Sequence, residues 1–146
     1  MTSARGIKRF VVTGVLAAIV LCIAPLVFRA WEIHIYYQEK GSVLELLHQL
    51  KRDRRPEKVE IETWGLAANW IITAFANVCF SESHVPFNEL RRFRVDVEKR
   101  LSKDVDLATI DWISQRLAET GPHGQHYIEK WEPLYRRDLN EALTKN

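Results

Sequence analysis

Cys79 and His84 stand in the pattern C-x4-H within CFSESH, a thiol and an imidazole close enough in sequence to suggest nucleophilic chemistry. A cysteine nucleophile works as the thiolate, so it needs a nearby base and a partly exposed, electropositive setting. Cys79 instead closes the most apolar run of the domain, where cysteine usually packs as a small hydrophobe, and no third residue is placed to orient His84. The segment GPHGQHYIE sets His123, His126 and Glu129 at i, i+3 and i+6, which on one helix face would offer two imidazoles and a carboxylate to a metal. His123, however, lies between Pro122 and Gly124 and is expected in a turn, and no H-E-x-x-H or cysteine pair supports the site. The sequence therefore assigns no catalytic residue, no cofactor-binding residue and no metal ligand.

Two basic runs, KRDRR at 51–55 and RRFR at 91–94, are candidates for gripping phosphates or anionic headgroups. Asp53, Glu57, Asp96 and Glu98 lie beside them, so a solvated and locally balanced helix face is expected. There is no G-x-x-x-x-G-K-[ST], no G-x-G-x-x-G and no G-x-S-x-G, which leaves nucleotide and serine-hydrolase chemistry without a motif. Trp112 falls beside the apolar stripe of its helix and Trp131 sits next to Glu132; an edge tryptophan is a candidate interface anchor, or simply widens the core.

The elements that must position these groups begin with an anchor. Residues 10–28 (FVVTGVLAAIVLCIAPLVF) run for 19 positions without a charge, roughly 28 Å as a helix, close to the hydrocarbon thickness of a bilayer. Arg29, Trp31, Tyr36 and Tyr37 follow, types that settle at the lipid–water boundary. A cleaved signal peptide would be shorter and end in small residues; this run ends Leu26-Val27-Phe28-Arg29, and Leu21 before Cys22 does not suit a lipoprotein site. An uncleaved signal-anchor is expected, with Pro25 near its end. Arg5, Lys8, Arg9 and the amino terminus outweigh Arg29 and Lys40, which favours a cytoplasmic N-terminus and an extracytoplasmic domain. Gly14-x-x-x-Ala18 has the spacing that pairs membrane helices.

Charge supports this division. Three of the 21 Lys and Arg precede the anchor; the remaining 18 face all 19 Asp and Glu, so the domain is nearly neutral although the whole chain is +2. General nucleic-acid binding, which needs a basic field across the domain, is not expected. Cys22 and Cys79 lie in different environments, so no internal disulfide is expected.

Beyond the anchor, Gly41 is expected to interrupt a juxtamembrane helix. Ser42 would open the next helix with Glu45 as a capping box, and Val43, Leu46, Leu47 and Leu50 would form its stripe. Pro56 ends that helix. Residues 64–80 (WGLAANWIITAFANVCF) carry no charge over 17 positions and predict a helix buried on every side, with a second membrane span as the rival reading. Asn69, Thr73 and Asn77 weigh against the span. Pro86 opens a helix with Phe87, Leu90, Phe93, Val97 and Leu101 on one face; Asp104 caps one with Leu107, Ile110, Ile113 and Leu117. Thr120-Gly121-Pro122 is a stop, and a last helix from about Gln125 to Leu143 is expected to break or kink at Pro133. Only KVEIE at 58–62 alternates like a strand.

The expectation is an all-α protein, an N-terminal transmembrane helix followed by a compact bundle of four or five helices. It divides into a basic cytoplasmic tail (1–9), the transmembrane anchor (10–28), a juxtamembrane helix (29–41) and a helical domain (42–146). The function expected is a non-enzymatic protein-interaction or assembly module, with the bilayer contacted through residues 10–28 and a protein partner or second copy bound by the domain. The alternative is a small metal-binding or Cys/His-dependent enzyme using Cys79, His84, His123 and His126.

Overall fold

The computed structural model describes residues 4–80, 85–120 and 122–145, with backbone alone for 4–11, 80, 122, 123, 127 and 128. The chain is all-α: helices α1 (Ala4–Asp53), α2 (Ile61–Phe80), α3 (Phe87–Leu101), α4 (Leu107–Ala118) and α5 (Pro122–Thr144), with no strand among the described residues. Four helices thus follow α1, and KVEIE is a turn leading into α2. The chain divides into two compact units, Met1–Tyr37 and Gln38–Asn146.

In the first unit, every described side chain from Val12 to His34 is exposed. Leu21 reaches 75 % exposure, and Phe28 and Trp31 pack ring against ring at 6.1 Å. Among the described residues α1 is the one helix long and apolar enough to cross a membrane, and none of its most apolar stretch is buried. Pro25 lies inside the helix without ending it.

In the second unit, α1 runs straight through Gly41. The expected new start at Ser42 does not occur: its hydroxyl donates back to the Gln38 carbonyl at 3.0 Å instead of capping. A glycine inside a helix costs only about 1 kcal/mol, and the stripe Lys40, Val43, Leu47, Leu50 is buried along its whole length, which outweighs it. The helix ends at Asp53, ahead of Pro56. Trp64, itself buried, donates Nε1–H to the Lys51 carbonyl at 3.2 Å and so satisfies one of the last-turn acceptors. Two bonds brace the loop, Val59 N–H to Pro56 O at 3.1 Å and the Arg55 guanidinium to Val59 O at 2.8 Å.

Helix α2 is the hub, packing against both α4 and α5. Trp64, Ala67, Ala68, Ile71, Ala74, Phe75, Val78 and Cys79 are buried. It is not buried on every side: Asn69, Thr73 and Asn77, four residues apart, form an exposed polar ribbon. Phe75 stacks on Phe93 of α3 at 5.9 Å with the planes 12° apart, and Trp70 packs at 5.9 Å against Tyr135 of α5. Leu90, Phe93, Val97 and Leu101 supply the buried face of α3 as expected, and Ile110, Ile113 and Leu117 that of α4.

Three further boundaries differ from the expectation. The cap of α4 is Asp106, not Asp104: Asp106 Oδ1 accepts from Thr109 N–H at 2.9 Å, and Thr109 Oγ1 accepts from Asp106 N–H at 3.3 Å. The reciprocal partner three residues on is what selects between the two aspartates. Pro122 and Gly124 do not form a turn but the first turn of α5, where a Cβ on Gly124 would come within 2.5 Å of the Leu117 and Ala118 carbonyl oxygens. Nor does α5 break at Pro133, which lies inside a continuous helix. Pro86 stands immediately before α3 as expected, while the left-handed cap at Gly121 lies outside the described residues.

Candidate functional site

Cys79 occupies the last turn of α2, 1 % exposed. Burial pushes its thiol up to about 11, against an opposing pull from the Lys40 ammonium. At neutral pH it is therefore protonated and inaccessible, the reverse of what a nucleophile needs. His84 lies outside the described residues. Lys40 itself is 4 % exposed, and burial lowers its pKa below the usual lysine value while Cys79 opposes. Sequence pattern does not mark this buried amine when Gly41 divides the helix. Counted as one helix, Lys40 falls three residues ahead of Val43 on the same stripe.

Among the described residues the histidine segment brings no ligand set together. His126 and Glu129 are both exposed on α5, and the side chain of His123 lies outside the described residues. No group of three or more His, Cys, Asp or Glu side chains positioned to hold a metal occurs among the described residues.

The polar interactions that do assemble are three arginine clamps. Each arginine reaches a carboxylate on its own helix or its end and a second one on a neighbouring helix. Arg94 of α3 holds Glu98 at 3.0 Å and Glu39 of α1. Arg116 of α4 holds Glu119 and Asp96 of α3, and the Asp96 hydrogen bond is the main cause that raises its pKa above the usual arginine value. Arg136 of α5 holds Glu132 at 2.7 Å and Asp111 of α4 at 3.6 Å. Planar guanidinium groups with five donors suit such two-sided pairing. The clamps fix α1 to α3, α3 to α4 and α4 to α5. No sequence signal marks them, because nothing in helical spacing tells which carboxylate lies across a seam.

The clamps also change the charge balance of the basic runs. Asp96 and Glu98, expected to balance RRFR, are engaged by Arg116 and Arg94. Arg91 and Arg92 are exposed and have no ion pair or hydrogen bond among the described residues. With Asn88, Val95 and Asp96 they line a shallow groove on the outer face of α3. In KRDRR, Lys51 donates to Asn69 Oδ1 at 2.7 Å and Arg52 pairs with Asp53 at 3.2 Å. Arg54 instead borders a second shallow groove with Leu46, Leu50, Glu98 and Leu101. Trp112 is half-buried with the Arg100 guanidinium carbon 6.0 Å from its ring centroid, and Trp131 is exposed with Lys130 Nζ at 4.9 Å. Both grooves are open surfaces that bring no reactive groups together.

Comparison of the chain with protein-family models, with curated proteins and with solved structures finds no match in any of the three.

Proposed function

We propose that this chain is a membrane-tethered, non-enzymatic assembly module. Residues 10–28 cross the bilayer once, the N-terminus is cytoplasmic, and the extracytoplasmic helical domain binds another protein. The observation that carries this reading is the exposure of the described anchor side chains: apolar groups from Val12 to Phe28 with no cover in their own unit. A helix that is apolar all round and covered by nothing needs an apolar medium outside the chain. The basic residues Arg5, Lys8 and Arg9 ahead of it support the orientation. The protonated, buried Cys79 weakens the Cys/His enzyme alternative.

Alkaline carbonate extraction of membranes carrying the full chain tests the tether. The chain is expected to stay in the membrane pellet, and a variant lacking residues 10–28 to leave it; full release of the intact chain would overturn the anchor. Cross-linking of the full chain in the same membranes tests assembly. Discrete adducts are expected, and a chain that stays monomeric throughout would contradict the module.

A further inference from the structure

Among the exposed apolar side chains of the helical domain are Ile61, 71 % exposed, and Val95, 47 % exposed. Singly exposed apolar residues are ordinary. What distinguishes this pair is the charge around each. Ile61 opens α2 between Glu60 and Glu62, both exposed and without ion pairs among the described residues. Val95 lies in the α3 groove beside Arg91 and Arg92, likewise exposed and unpaired.

Both sites sit on hydrogen-bonded backbone. Trp64 N–H donates to the Glu60 carbonyl at 2.9 Å, and the loop before it is braced at Val59. On α3, the residues on either side of Val95 are the clamp members Arg94 and Asp96, fixed to α1 and α4. Oppositely charged surfaces on regular backbone select each other by charge, at the cost of ordering the exposed side chains.

We infer that the Glu60–Ile61–Glu62 tip of one copy docks in the Arg91–Arg92–Val95 groove of a second copy of this chain, with Ile61 covering Val95 and the carboxylates meeting the guanidinium groups. This deepens the assembly reading above and rests on it, by naming the partner. A contact so small suffices when both copies are tethered in one membrane, because confinement raises their effective concentration.

The test uses the full chain in membrane vesicles, in a Cys22→Ser background so that the exposed anchor thiol plays no part; Cys79 is buried. One tagged copy carries Ile61→Cys and a second, differently tagged copy carries Val95→Cys, and a copper–phenanthroline oxidant is added. Each copy has one accessible thiol, so a disulfide joining the two tags reports the tip-to-groove contact. A mixed disulfide is expected. Adding Arg91→Glu and Arg92→Glu to the Val95→Cys copy should cut its yield about tenfold, since like charges then face each other. Adding Glu60→Arg and Glu62→Arg to the other copy should restore it, which also shows that both variants fold. Absence of the mixed disulfide, a yield indifferent to charge reversal, or failure of the rescue would overturn the inference. Carbonate retention, scored on the same vesicles, speaks to the anchor alone, so the two failures are told apart.

Discussion

Residues 10–28 and 64–80 are two charge-free apolar runs of nearly equal length, and they meet opposite surroundings. In the first, every described side chain is exposed; in the second, eight side chains form the centre of a bundle. Length and lack of charge do not separate them. What separates them is where the uncharged polar groups fall. Asn69, Thr73 and Asn77 recur every fourth residue in α2 and gather into one ribbon, leaving the rest of the helix to pack. Residues 10–28 have only Thr13, near their start, and so are apolar all round. One run is covered by its own chain, and the described side chains of the other are not.

That contrast can be broken from either side. The largest effect expected is Phe93→Ala, which removes a stacked, buried ring and should cost about 3–5 kcal/mol of domain stability by denaturant unfolding, with carbonate retention unchanged. The mirror experiment is Val20→Arg. A charge near the centre of the anchor should cost about 3 kcal/mol of insertion and release a measurable fraction into the carbonate supernatant, while the unfolding midpoint of the domain stays put. If either substitution moved both readouts equally, the two regions would not be the independent bodies described here.

Smaller effects sharpen the picture of the core. The Cys79 thiol, raised to about 11 in the fold from the ordinary value of 9.0, binds its proton more tightly folded than unfolded. Its contribution is therefore full below about pH 9 and is lost as pH rises through 11. Lys40, lowered by burial, has the opposite slope below its ordinary 10.5. The clean readout is the difference between wild type and Cys79→Ala, which should shift by about 2 kcal/mol against the wild type between neutral pH and 11. The smallest effect is Asp106→Ala, expected to cost about 1 kcal/mol by removing the α4 cap, whereas Asp104→Ala should be silent within about 0.5 kcal/mol.

Much of this architecture was legible because periodicity reports burial directly. The faces of α3 and α4 follow from the spacing of their apolar residues, and the central place of α2 from its charge-free run, although its exposed ribbon of Asn69, Thr73 and Asn77 does not. Punctuation was less reliable. Gly41 and Pro133 both suggested breaks, and both sit inside continuous helices because flanking buried side chains outweigh a local propensity of about 1–3 kcal/mol. Misplacing the break at Gly41 hid Lys40 from the stripe it belongs to. The arginine clamps were illegible for a different reason. Arg94, Arg116 and Arg136 look like their neighbours in sequence, and only the packing of α1, α3, α4 and α5 brings Glu39, Asp96 and Asp111 to them. With the clamps in place, Arg91 and Arg92 become a groove instead of part of a balanced basic run.

The most direct test of the central claim, one anchor and one helical body on a single side of the membrane, is a topology map of the full chain. Cysteines introduced at Glu57 and Lys103, both exposed and lying on either side of residues 64–80, are labelled with an impermeant reagent in intact cells, with a reporter fused after Asn146. All three are expected to report outside. Labelling at Glu57 outside with Lys103 and the terminus inside would mean that residues 64–80 cross the membrane, and the bundle built around α2 would be contradicted.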